Sequence, residues 1–250
     1  MKNIFSVSLL VVLTSSPLTI ADVANPLPAT PTIAFSAMLP GQTVLKQFRV
    51  VTLPKIKSNQ FSLVTDEDKT VLRVDSDNSA GSLALPLTTV TGGTNPSLQW
   101  RWKVSRVLDK ADMEAKTGDD FSARVYVFFD VPLASLSFLE RTKIRLARAV
   151  AGADVPTAAL CYVWDNTHRI GHTQWSPYTN RLRKIVLQSG PANVNKWMTE
   201  SRDVAADFRE AFGFDAPAVT GVAIGNDTDN TDEKVTTWYG DVSLTNVQAR

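Results

Sequence analysis

Three groups of side chains in this sequence have types and spacings that could do chemistry. The first is the acidic run from Asp227 to Glu233, in which Asp227, Asp229 and Asp232 offer hard oxygen atoms, the kind calcium takes. It is not an EF-hand loop, because the sixth position is Asp232 rather than Gly and the twelfth is Trp238. A structural calcium on these three residues is one expectation, and a hydrogen-bonded turn without metal is the other. The second group is His168 and His172, four apart. That spacing would align two ligands on a helix, but Gly171 intervenes and residues 166–177 read as a loop. Two exposed loop histidines are expected there rather than a transition-metal site.

The third group emerges from strand alternation, which sends successive side chains to opposite faces. Over 98–104, Leu98, Trp100, Trp102 and Val104 point one way and Gln99, Arg101 and Lys103 the other. Over 121–130, the apolar set Phe121, Ala123, Val125, Val127 and Phe129 opposes Arg124, Tyr126 and Phe128. In 158–165 the small set Ala159, Cys161 and Val163 alternates with Leu160, Tyr162 and Trp164. Near the end, Trp238, Gly240, Val242 and Leu244 alternate with Tyr239, Asp241 and Ser243. Packing the apolar sets between two sheets leaves Arg101, Arg124, Tyr126, Tyr162, Trp164, Tyr239 and Asp241 on a second face. Arg181 is included among these candidate ligand contacts. Rings that stack on the C–H faces of a sugar, beside Arg and Asp that bond its hydroxyls or carboxylates, suit a carbohydrate. The competing expectation packs these rings beneath helices or a loop, with each Arg paired to an Asp.

Catalytic patterns are thinner. Asp119, Asp120, Asp130, Asp165, Asp227, Asp229 and Asp241 offer carboxylate pairs for glycoside hydrolysis, without the Glu-x-Asp-x-x-Glu strand signature of sandwich glucanases. Arg124, Arg181, Arg183, Tyr126, Tyr178, His168 and His172 could serve a polysaccharide lyase, without that chemistry's strand motifs. No Gly-x-Ser-x-Gly elbow is present.

The elements that must position these groups follow from composition. The chain has 250 residues, 44% hydrophobic and 20% charged, with a formal charge of +1, so no global field favours nucleic acid. A single Cys excludes an internal disulfide framework and a Cys-built metal site. Lys2, the apolar stretch from Ile4 to Ile20 and the small residues around Ala21 read as a signal peptide, residues 1–21. Cleavage there predicts a periplasmic or extracellular protein with no transmembrane segment left, expected to be a monomer. Residues 22–34, with Pro26, Pro28 and Pro31, read as an extended tether, and 35–250 as one β-sandwich domain. Strands are expected at 60–65, 70–76, 81–87, 97–105, 121–130, 158–165, 181–189, 220–226 and 235–244. One helix is expected over 133–150, burying Leu136, Leu139, Leu146 and Val150, and a second over 202–212, ending at Gly213. Cys161, inside an apolar run, is expected to be buried and unreactive.

The segments 98–104, 117–130, 160–165, 178–190, 197–213 and 223–244, in that order, resemble an uncharacterised bacterial family of exported proteins classed as a domain of unknown function. The resemblance covers roughly residues 35–245 and implies a secreted or periplasmic β-sandwich, with no activity attached. The acidic loop followed by a strand carrying Gly240-Asp241-Val242 also resembles the last strand of jelly-roll carbohydrate-binding modules. The expected fold is therefore a mainly β, jelly-roll-like antiparallel sandwich with two short helical insertions. The expected function is non-catalytic carbohydrate binding, with an acidic polysaccharide as one candidate ligand. A lyase or glycosidase, and a structural envelope protein that binds another protein, are the alternatives.

Overall fold

A computed structural model describes residues 33–43, 48–87, 95–151 and 155–247. The expected signal peptide and the expected tether before Ile33 lie outside the described residues. The described residues form twelve strands: β1 (Arg49–Val51), β2 (Gln60–Asp66), β3 (Lys69–Asp77), β4 (Ala80–Pro86), β5 (Asn95–Val104), β6 (Phe121–Phe129), β7 (Ala158–Asp165), β8 (Thr173–Ser176), β9 (Thr179–Ser189), β10 (Met198–Asp203), β11 (Val219–Asp227) and β12 (Lys234–Val247). Two α-helices, α1 (Phe138–Ala151) and α2 (Val204–Phe212), interrupt them. The strands make a seven-stranded sheet, ordered β1-β4-β11-β6-β7-β9-β8, and a five-stranded sheet, ordered β10-β5-β12-β3-β2. This is a mainly β, jelly-roll-like sandwich with two short helices. The expected antiparallel pairing holds except between β7 and β9, which run parallel. The antiparallel β8 hairpin closes the far edge of β9. Among the described residues no helix is long and apolar enough to cross a membrane.

One apolar core fills the space between the sheets. From β5 it takes Leu98, Trp100, Trp102 and Val104, and from β6 Ala123, Val125, Val127 and Phe129, as the alternation dictates. Trp100 stacks edge-on against Trp102 with centroids 5.4 Å apart. Helix α2 plugs the open side, where Phe208 meets Phe129 at 4.5 Å and Phe212 at 4.4 Å. Asp203 caps its N-terminus, accepting from the Ala206 N–H at 2.9 Å. Gly213 ends it at φ 78, the left-handed conformation a C-terminal cap requires.

Helix α1 differs from its expected face. Leu136 and Ile144 are buried, while Leu139 and Leu146 stand 70% and 67% exposed. The cause is the start of the helix. Residues 133–135 form a separate 3-10 turn, and a capping box resets the phase at Ser137, whose N–H donates to Glu140 Oε2 at 3.1 Å while its Oγ accepts from the Glu140 N–H at 3.3 Å. Arg148 bonds Asp130 at 2.9 Å and the Val155 carbonyl at 3.0 Å.

Candidate functional site

The eight candidate ligand contacts separate into four places. Tyr162, Trp164 and Tyr239 are at most 1% exposed and belong to the core, so their outward placement is overturned. Strand β7 turns its larger set inward, with Tyr162 against Trp100 at 5.3 Å and Trp164 against Trp102 at 6.0 Å. Its small set faces a second apolar cluster that Cys161 and Val163 form with Met113, Phe121 and Val186, beneath the segment 105–120. Both faces of β7 are thus buried. Burial also pushes the Cys161 thiol up to about 12, as an unreactive thiol requires.

Arg124 and Tyr126 do share the outer side of β6, but the same covering segment seals it. Arg124 donates to Tyr126 Oη at 2.8 Å and meets Asp227 Oδ2 at 2.7 Å. Arg181 is elsewhere, bonding the Thr157 carbonyl at 2.8 Å with Glu140 3.8 Å away. Tyr178 bonds the Lys116 carbonyl at 3.0 Å. Of the residues suggested for a lyase, Arg124 and Tyr126 thus bond each other, while Arg181 and Tyr178 hold backbone carbonyls of separate segments. The two histidines sit in the loop after β7, rings stacked at 4.7 Å, with His168 against Asp165 and 3.9 Å from Glu114.

Arg101 and Asp241 remain on the outer face of the five-stranded sheet. On that face lie two indoles that strict alternation did not place outside, Trp238 and Trp197, and Arg101 stacks on the latter. A β-bulge explains this: the pairing of β12 with β5 shifts register between Tyr239 and Val242. Tyr239 and Val242 both point inward, three residues apart, which alternation of period two forbids. Trp238 consequently points out. Its neighbours across the sheet are Arg73 on β3 and Lys103 on β5, and their charges lie 5.9 and 4.8 Å from its ring. Trp197, just before β10, takes Lys103 at 5.1 Å and Arg101 at 4.2 Å. The face is thus a row of alternating indoles and cations. Arg73 is paired bidentately with Asp75 and Lys103 with Asp66. Arg101 meets Glu67 at 3.8 Å, the loosest of the three pairings.

Arg101 lies flat over Gly240, where an added Cβ would stand 2.5 Å from its Cγ. Beside it opens a cleft of about 260 Å³ walled by Lys69, Gln99, Thr199, Asp241 and Ser243. Asp241 is steadied by Ser36, whose N–H and Oγ donate to its two oxygens at 2.8 and 2.5 Å.

The acidic loop is built differently from its expectation. Asp227 and Asp229 converge with Asp120, each giving one carboxylate oxygen within 4.8 Å of the others. Asp232, at φ 57, is exposed outside this cluster, so its expected role as a ligand is corrected in favour of Asp120. The loop 228–233 wraps Asp120: its Oδ2 accepts from the N–H groups of Asn230 and Thr231 at 3.0 and 2.7 Å and from Thr231 Oγ1 at 2.8 Å. Burial raises the Asp120 carboxyl despite Thr231, and raises that of Asp227 well up despite Arg124.

Glu200 also went unread. Strand β10 turns it inward, where it accepts from Trp102 Nε1 at 3.1 Å and Gln188 Nε2 at 2.8 Å. Near it Asp207 joins Tyr162 Oη, at 2.7 Å, to Arg202.

A family model described as a protein of unknown function, DUF3047, matches residues 46–243, and the chain belongs to that family. No curated protein matches its sequence. Among solved structures, the xyloglucanase domain of NopAA from Sinorhizobium fredii is 11% identical, covering 88% of this chain and 100% of that one at a TM-score of 0.44. Endoglucanase cel12A from Rhodothermus marinus is 10% identical, covering 80% and 93% at a TM-score of 0.41. The family GH12 endoglucanase 3 from Trichoderma harzianum is 8% identical, covering 81% and 99% at a TM-score of 0.39. At such values neither substrate nor site residue carries across.

Proposed function

For this DUF3047 chain we propose non-catalytic binding of a carbohydrate on the outer face of the five-stranded sheet, outside the cytoplasm. The observation that carries the reading is the row of Trp197, Lys103 and Trp238 beside Arg101 and its polar cleft. Indoles offer apolar surface to the C–H faces of sugar rings, and the cleft's amide, hydroxyls and charges suit sugar hydroxyls. Arg101, the least tightly paired of the row's three cations, is the group that would take a uronate carboxylate. An acidic polysaccharide is therefore the favoured ligand class. Export rests on the leader read at residues 1–21.

Calorimetry against a panel of neutral and uronate-containing oligosaccharides tests the binding. Saturable heat with uronates, lost in Trp238→Ala and Arg101→Ala proteins that keep their circular dichroism spectrum, is the expected result. Release of new reducing ends or unsaturated uronate would instead make the protein an enzyme. N-terminal sequencing of the protein recovered from its native fractions should begin at Asp22; a soluble cytoplasmic chain that starts at Met1 would refute export.

A further inference from the structure

Four carboxyl groups gather where β6, β11 and the loop after β11 meet. Asp119, Asp120, Asp227 and Asp229 converge there. Two bases answer them: Lys184, 2.8 Å from Asp119, and Arg124, 2.7 Å from Asp227 and 3.9 Å from Asp119. Among the described residues neither Asp120 nor Asp229 has an ion-pair partner.

Asp120 is wholly buried. Its Oδ2 is saturated by three donors from the loop, whereas its Oδ1 has no hydrogen-bond partner among the described residues. A buried carboxylate oxygen with no partner is costly, and this one belongs to a carboxyl that converges with two others. We propose that Asp120, Asp227 and Asp229 hold a calcium ion. Calcium takes carboxylate oxygens at about 2.3–2.6 Å, so two oxygens on one ion stand at most about 5 Å apart, and these three already lie within 4.8 Å of one another. Bound there, the ion gives Asp120 Oδ1 the partner it lacks. Asp229 is half-buried and leaves the site reachable from solvent. The ion would tie the start of β6 to the loop between β11 and β12, closing one end of the sandwich.

The test is a thermal melt of the purified, chelator-stripped protein titrated with calcium chloride, alongside Asp229→Asn and Asp120→Asn. Asp229 is half-exposed, so its variant is expected to fold. A ligand bound only to the native state raises the melting temperature with the logarithm of its concentration, by about 5–10 °C at a hundred times its Kd for a chain this size. The wild type should show that rise and both variants should lose it. A wild-type melting temperature unmoved by millimolar calcium, or a shift of equal size in Asp229→Asn, overturns the site.

Discussion

Tyr239 on β12 reaches across the sandwich to Gly225 on β11. Its hydroxyl donates to the Gly225 carbonyl at 2.6 Å and accepts from the Arg124 N–H at 3.0 Å. One side chain of the five-stranded sheet therefore satisfies backbone groups on two strands of the other. Tyr239→Phe keeps the ring and leaves those groups without it, which should cost roughly 1–3 kcal/mol. Urea unfolding should show a lower midpoint with an unchanged slope.

Gly225 itself leaves no room for a side chain. A Cβ there would stand 2.3 Å from the Gly81 carbonyl oxygen and 2.9 Å from the Ser82 Cα. Both are backbone of the neighbouring strand and cannot swing aside. Gly225→Ala should destabilise by roughly 3 kcal/mol or more, beyond the usual range for overpacking. A melting temperature within two or three degrees of wild type, on the scale of about 1 kcal/mol, would show that β4 and β11 can separate there.

Glu200 gives a pH dependence with a definite sign. Burial raises its carboxyl above the ordinary glutamate value, against hydrogen bonds from Gln188 and Trp102 that favour its charge. Between the two values the folded state keeps a proton that the unfolded chain has lost. Stability from this group is therefore fully present below the ordinary value and falls as pH rises through the folded one. Glu140 and Glu233, held low, act in the opposite direction, but they are common to wild type and Glu200→Gln. The unfolding free energy of wild type relative to that variant should fall from about pH 4 to pH 8. A difference that stays flat, or rises, would place Glu200 in water rather than between the sheets.

What was legible in the sequence follows the physics of the edges. Nine strands carry an apolar alternation or an apolar run because at least one face meets the core. The three strands that sequence periodicity missed, β1, β8 and β10, are all sheet edges. Strand β10 alternates in burial, yet its inward residues after Met198 are Glu200 and Arg202, so hydrophobicity says nothing of its period. Tyr162 and Trp164 were misplaced for the opposite reason. Both sets of β7 are apolar, and only the segment 105–120, closing over Cys161 and Val163, makes both faces buried. Trp238 was lost to the bulge at Gly240 and Asp241, where a Gly in a strand was the available signal. Asp120 stood among the candidate carboxylates, but its place beside the acidic loop shows in a contact with Thr231, 111 positions away in the chain.

Gly240 separates the sheet's stability from the proposed binding. A Cβ there would meet Arg101 Cγ at 2.5 Å and Nε at 2.6 Å, atoms of a flexible side chain rather than backbone. Gly240→Ala should therefore fold, in contrast to Gly225→Ala, but push Arg101 off the strand and away from its place 4.2 Å over Trp197. Two consequences should follow together. Affinity for a uronate-containing oligosaccharide should fall by about 1.5–3 kcal/mol, the usual worth of a hydrogen bond to a charged group, while the denaturation midpoint stays close to wild type. The loss should also shrink as salt is raised, because a partly exposed ion pair is screened. Calorimetry on Gly240→Ala and Arg101→Ala at low and high salt reads both effects. Equal, salt-independent binding by both variants and wild type would remove Arg101 from the ligand face.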